Sequence, residues 1–274
     1  MIIHSAKNLI VSTVSIVLLL AQVQAAAEQT NSVERLRQAR GFFALPLEFD
    51  FDSGAENGNA SILRIMPLYT FPVYEQWKLV NLSIITLADA PGGTPAFPGD
   101  NSSGQTAGLS DLLHASFVTP TRSGDFIWGV GPIFSFPTAT APTLGSGKWA
   151  AGPAFRFTYR KGPWNLGAIA GQRWSFAGSD NRADVNQLLI RGAVRRQLPN
   201  DWFFVYAPLI TVNWDSPGQK WLVPVGGGIG RSFKINTHPW AWSVQAYYNA
   251  IKPEPAPDLV FRFAIIAAIP FGED

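Results

Sequence analysis

Leu259-Val260-Phe261-Arg262-Phe263-Ala264-Ile265-Ile266-Ala267-Ala268-Ile269-Pro270-Phe271, almost at the C-terminus, is the stretch that decides the fold. Read two residues at a time, Leu259, Phe261, Phe263, Ile265, Ala267, Ile269 and Phe271 share one face. Val260, Arg262, Ala264, Ile266 and Ala268 share the other. A period of two is the signature of a β-strand, whose successive side chains point to opposite faces. One face is wholly apolar, as hydrocarbon requires; the other carries Arg262, as a wet interior allows. An amphipathic strand that ends on an aromatic near the C-terminus is the pattern of a transmembrane β-barrel.

Working outward, the same alternation recurs in about twelve strand-like segments of roughly 10–13 residues each. They run Phe42 to Asp52, Ile62 to Phe71, Trp77 to about Leu87, Leu109 to Thr119, Phe126 to Phe136 and Trp149 to Arg160. They continue Trp164 to Phe176, Val185 to Leu198, Trp202 to Trp214, Trp221 to Phe233, Trp240 to Ala250 and the closing stretch. Connections after even-numbered strands are short, Lys161-Gly162-Pro163 and Pro199-Asn200-Asp201 being the tightest. Those after odd-numbered strands are mostly longer, and 88–108 is the longest. Tryptophans gather at strand ends (Trp77, Trp149, Trp164, Trp174, Trp202, Trp214, Trp221, Trp240), where their amphipathic rings suit a membrane interface. The expected fold is all-β: one antiparallel transmembrane β-barrel, residues 41–274, with short periplasmic turns and longer extracellular loops.

Composition agrees. Charged residues are 15% of the chain, below the usual ~25%, and there are ten Trp and nineteen Phe. The absence of cysteine excludes a disulfide scaffold or thiolate chemistry. A net charge of +2 points to no nucleic-acid partner. Residues 1–25 read as a secretory signal: Lys7, an apolar core from Leu9 to Ala21, then Val23-Gln24-Ala25 as a small-residue cleavage site. Residues 26–40 read as a periplasmic tail or small plug. The expected location is the bacterial outer membrane.

Trp128-Gly129-Val130-Gly131-Pro132 and the motifs that follow as far as Asn186 are the most specific part of a likeness covering roughly Phe43 to Phe271. In it the chain resembles the outer-membrane barrel family named for the MetA pathway of phenol degradation. The resemblance rests on Trp128-Gly129-Val130-Gly131-Pro132, Phe136-Pro137-Thr138-Ala139-Thr140 and Leu144-Gly145-Ser146-Gly147-Lys148-Trp149-Ala150-Ala151-Gly152-Pro153. It extends to Gly162-Pro163-Trp164, Trp174-Ser175-Phe176-Ala177-Gly178 and Arg182-Ala183-Asp184-Val185-Asn186. The chain departs from the family at its end, where Gly272-Glu273-Asp274 follow the final aromatic. The resemblance implies passage of small organic, aromatic compounds and supplies no catalytic residue.

Strand parity nominates the lumen residues. Glu48 and Asp50 point inward from strand one and Arg64 from strand two. His114 with Ser116 is placed inward on strand four. Arg156, Arg173, Gln187, Arg191 and Arg195 come from strands six to eight, and Tyr247 from strand eleven. A basic wall then faces an acidic one. Such a wall guides small anionic solutes, or the charges pair and plug the lumen. Phe203, Leu222 and Tyr247 make any pore narrow, and 88–108 is a candidate constriction. The leading expectation is an Arg-lined channel for small organic solutes. The alternatives are a plugged structural or surface-binding barrel and a lipid-modifying enzyme. The last would use His114 and Ser116, but two residues along one strand are about 7 Å apart, long for a direct hydrogen bond. No catalytic residue, metal or cofactor is expected. The expected partners are outer-membrane lipid, the barrel-assembly machinery at the C-terminal strand, and small organic solutes.

Overall fold

In the computed structural model, residues 41–91, 104–121, 124–236 and 238–271 are described. The signal and tail (1–40), most of the 88–108 loop and the last three residues lie outside them. Fifteen hydrogen-bonded segments make twelve barrel strands, because three strands are interrupted. These are β1 Gly41–Ser53, β2 in two pieces (Ala60–Ile65 and Leu68–Tyr74), β3 Trp77–Pro91 and β4 in two pieces (Gln105–Leu109 and Leu112–Pro120). Next come β5 Phe126–Phe136, β6 Lys148–Lys161, β7 Trp164–Gly178 and β8 Asn186–Gln197. The last are β9 in two pieces (Trp202–Tyr206 and Leu209–Asn213), β10 Trp221–Ile235, β11 His238–Ile251 and β12 Leu259–Phe271.

Every strand pairs antiparallel with its sequence neighbours. The ring closes where β12 zips onto β1, from Gly41 opposite Phe271 to Ser53 opposite Leu259. Closure removes the free edges that hydrocarbon cannot satisfy. The outer wall is apolar: Phe49, Phe261 and Phe263 stand exposed on it, as the alternation requires. Aromatic pairs mark two rims. Trp77 meets Trp128 at 6.2 Å, and Trp202 meets Trp242 at 5.8 Å, at the short-turn end. Phe136 meets Trp149 at 5.5 Å, and Trp214 meets Trp221 at 6.1 Å, at the loop end. In outer-membrane barrels the short turns are periplasmic.

The glycines of β10 let neighbouring strands approach closely. A Cβ on Gly228 would lie 1.9 Å from the Val244 carbonyl oxygen, and one on Gly230 would lie 2.3 Å from the Phe203 ring. An apolar cluster lies in the periplasmic half of the lumen. Met66, Leu68, Phe117, Phe203 and Ile266 are fully buried in it.

Candidate functional site

The expected acidic and basic walls meet at mid-height. Arg191 on β8 donates from Nη2 to Glu48 Oε1 on β1, on the far side of the ring. Glu48 Oε2 lies 3.7 Å from Arg262 Nε. Arg262 forks onto Asp50, with Nε 2.7 Å from Oδ1 and Nη2 2.8 Å from Oδ2. Arg64 Nη1 closes the series on Asp50 Oδ2 at 2.5 Å. An alternating chain, Arg191–Glu48–Arg262–Asp50–Arg64, thus crosses the lumen as an ion-paired bar. All five residues are buried. The strands force this meeting: Glu48 sits opposite Arg64, and Asp50 opposite Arg262, in the two ladders that flank β1.

Arg262 also donates from Nη1 to the Ala207 carbonyl at 2.9 Å. That carbonyl lies at the interruption of β9. A polar relay supports the same corner. The Ala207 amide donates to the Tyr247 hydroxyl at 2.7 Å, and that hydroxyl donates to Gln245 Oε1 at 2.5 Å. Arg262, the one charge on the inner face of the closing strand, is not among the lumen residues that strand parity nominates.

Above the bar lies a cavity of about 240 Å³. Asp50, Arg64, Arg191 and Arg262 form its floor, and its wall is largely aliphatic, including Leu82, Ile84, Leu113, Ile133, Ile169 and Leu189. Its mouth is covered by 137–147. Leu144 packs fully buried against Ala60, Ile62, Ala88 and Ala90. Asp111, in the break of β4, accepts from the Ser146 amide at 2.7 Å and hydroxyl at 2.8 Å. Thr140 Oγ1 accepts from the Leu109 amide at 3.0 Å. Arg182 Nη2 donates to the carbonyls of Pro142, at 2.8 Å, and Gly145. Much of the sequence that carries the family resemblance therefore builds this cover. The expectation placed a constriction in 88–108, most of which is outside the described residues.

The other nominated residues lie apart from the bar. Arg173 donates to Gln187 on the loop side. Arg195 lies toward the periplasm with its guanidinium 3.7 Å from the Phe203 ring centroid and bonds to Gln197 and Ser232. Arg156, also on that side, donates from Nη1 to Thr119 Oγ1 at 3.1 Å.

His114 is a correction. The wall at His114 borders the cavity, but the side chains facing inward there are Leu113 and Ala115. His114 pairs with Ser83 and with the outward Phe134, so its ring lies on the outer face. There Ser83 Oγ is 2.9 Å from Nδ1, Ser116 Oγ is 3.1 Å from Nε2, and Ser116 donates to Asn81 Oδ1 at 2.7 Å. Inward polarity was assumed because lumens are wet. Here that part of the lumen is apolar, and the polar residues satisfy one another on the wall.

These features define a closed outer-membrane-type barrel whose lumen holds a loop-side cavity over an ion-paired bar. No family model matches the chain, and no curated protein matches it. Among solved structures it is similar to a COG4313 outer membrane channel from Pseudomonas putida F1. The TM-score is 0.60 at 12% identity, covering 85% of this chain and 96% of that one. It is also matched by the CymD monoaromatic hydrocarbon channel (TM-score 0.45, 9% identity, 92% and 94% covered). A Pseudomonas aeruginosa FadL homologue matches with TM-score 0.42 and 8% identity, covering 97% of this chain and all of that one. The fold shared with the first agrees with the family resemblance read from the sequence.

Proposed function

We propose that this protein is an outer-membrane channel for small organic molecules of about one aromatic ring. The observation that carries the reading is the 240 Å³ cavity, aliphatic in its wall and charged in its floor. An apolar cavity of about 150 Å³ accommodates benzene, so this one suits a ring with a small substituent. The mostly aliphatic wall holds the ring. The bar sets what passes below it, as an Arg-lined constriction. Export by a leader cleaved after residue 25, and recognition of β12 by the barrel-assembly machinery, complete the reading. No reaction is assigned to the chain. Resemblance to a phenol-degradation family and likeness to an outer membrane channel support it.

A second reading is favoured by the bar itself: charges paired across the lumen suit a plugged barrel that binds without transporting. The two separate in one experiment. The full chain, refolded into vesicles, is given radiolabelled benzyl alcohol, and ion conductance is recorded in a planar bilayer. The channel reading expects protein-dependent acceleration of benzyl alcohol entry with small ion conductance, because the paired bar obstructs hydrated ions. Folded protein that accelerates no solute sinks it and leaves the plugged barrel.

A further inference from the structure

We propose that the periplasmic part of the lumen holds a second site, formed by Arg156 and Lys78, that binds the carboxylate of a small organic acid. The inference rests on the channel reading for its solute and goes beyond it by assigning that solute an acidic group.

The two cations are neighbours by register. Lys78 on β3 sits opposite Thr119 on β4. Thr119 Oγ1 in turn takes the Nη1 hydrogen bond of Arg156 from β6. Between them on β5 is Gly129, opposite Arg156. A Cβ there would lie 2.4 Å from Thr119 Oγ1 and 3.0 Å from Arg156 Cγ, so glycine is what lets the arginine side chain lie across β5. Arg156 is 0% exposed and Lys78 7%.

Neither cation has an acidic partner among the described residues. Glu48 and Asp50, the inward carboxylates at mid-height on β1, are already held by Arg191, Arg262 and Arg64. A buried charge without a partner is costly, several kcal/mol in typical proteins. The unpartnered atoms are specific ones: Nε and Nη2 of Arg156. These two N–H groups form one edge of the guanidinium, the parallel fork that a carboxylate accepts with both oxygens. Nη1 is pinned to Thr119, which holds the free edge in place. Lys78 supplies a second positive charge to the same anion. The bar has its counter-charges; this site lacks one, and an organic carboxylate provides it.

The test uses the full chain in detergent micelles, with benzoate and the neutral, same-shaped benzamide titrated by calorimetry. Benzoate is expected to bind at least tenfold tighter than benzamide. Arg156→Gln should abolish the preference, and Lys78→Gln should weaken it. Arg156→Lys, which keeps charge but loses the fork, should restore only part. Heat-modifiable gel mobility confirms that each variant is folded. Equal binding of the two probes, no binding of benzoate, or a preference unchanged in Arg156→Gln overturns the site. Benzyl alcohol entry, measured alongside, separates the two ideas. Entry with no benzoate preference overturns this site alone; benzoate preference without entry of any solute removes the channel and keeps the site.

Discussion

Asp50→Asn tests the bar at its most heavily used acceptor. Asp50 accepts three hydrogen bonds, from Arg64 Nη1 at 2.5 Å, Arg262 Nε at 2.7 Å and Arg262 Nη2 at 2.8 Å. An amide at this position has one acceptor oxygen, and its NH₂ points at a guanidinium. The substitution also removes one negative charge from a buried group with three arginines, leaving Glu48 alone against them. Removing one partner of a buried ion pair typically costs about 3–5 kcal/mol, chiefly through the stranded partner. At about 1.4 kcal/mol per tenfold, that is a loss of roughly two to three and a half orders of magnitude in the folding equilibrium. The assay is equilibrium urea unfolding in lipid vesicles, followed by tryptophan fluorescence. A triple replacement, Asp50→Leu with Arg64→Met and Arg262→Met, removes the network together with its charges. It should restore most of the loss, since apolar substitutes for buried ion pairs are often neutral or stabilising. An Asp50→Asn protein within about 1 kcal/mol of the parent would refute the reasoning, because it would mean the arginines are solvated rather than held by Asp50.

Other outcomes follow from single contacts. Arg191→Glu places two carboxylates together and should destabilise the barrel and raise its preference for cations in a salt-gradient recording. Adding Glu48→Gln removes the repulsion while leaving the new carboxylate at position 191 and Asp50 to balance Arg64 and Arg262, so it should recover stability; no recovery would show that positions 48 and 191 do not meet across the lumen. Gly131→Ala puts a Cβ 1.8 Å from the Ser116 carbonyl oxygen. Because that atom is backbone, the variant should fail to give the compact, heat-modifiable band on gels. Leu144→Ala empties a buried position under the mouth, where such truncations cost about 2–5 kcal/mol. It should make 137–147 cleavable by protease and enlarge ion conductance, while leaving the gel shift of the barrel intact.

The strands were legible because lipid imposes one rule on every outer face. Phe126 to Phe136 and Leu259 to Phe271 match β5 and β12 to the residue, and the other strands differ by a few residues at one or both ends. The lumen was less legible because no single solvent fills it. Where it is wet, polarity marks the inner face, as for Glu48, Asp50, Arg173 and Arg191. Where it is packed, on β4, Leu113, Ala115 and Phe117 turn inward, and His114 and Ser116 face out. The alternation survives there, but its sign is reversed. A sequence cue was present: Leu82 and Ile84 on β3 alternate with Asn81 and Ser83, the cross-strand partners of Ser116 and His114. The cover over the mouth was visible only as family motif. Its contacts join Asp111, Ser146 and Arg182, far apart in sequence.

The residue that breaks the apolar pattern of the closing strand also explains why the bar sits where it does. β12 completes the ring by pairing with β1, so its one inward charge necessarily faces the inward charges of β1. Arg262 lies opposite Asp50 in that ladder and one step from Glu48, and its third nitrogen reaches the carbonyl of Ala207. A guanidinium can serve both carboxylates and the carbonyl at once because its donors are planar and divergent; an ammonium cannot hold the fork. Arg262→Lys therefore keeps the charge while giving up the bidentate bond. Its expected cost is about 1–3 kcal/mol, that of leaving buried polar groups unsatisfied, and so less than that of Asp50→Asn. Urea unfolding of the two variants side by side gives the order. If Arg262→Lys costs as much as Asp50→Asn, geometry rather than charge holds the bar. If it costs nothing, Asp50 needs only a nearby cation, and the fork at the seam has no structural role.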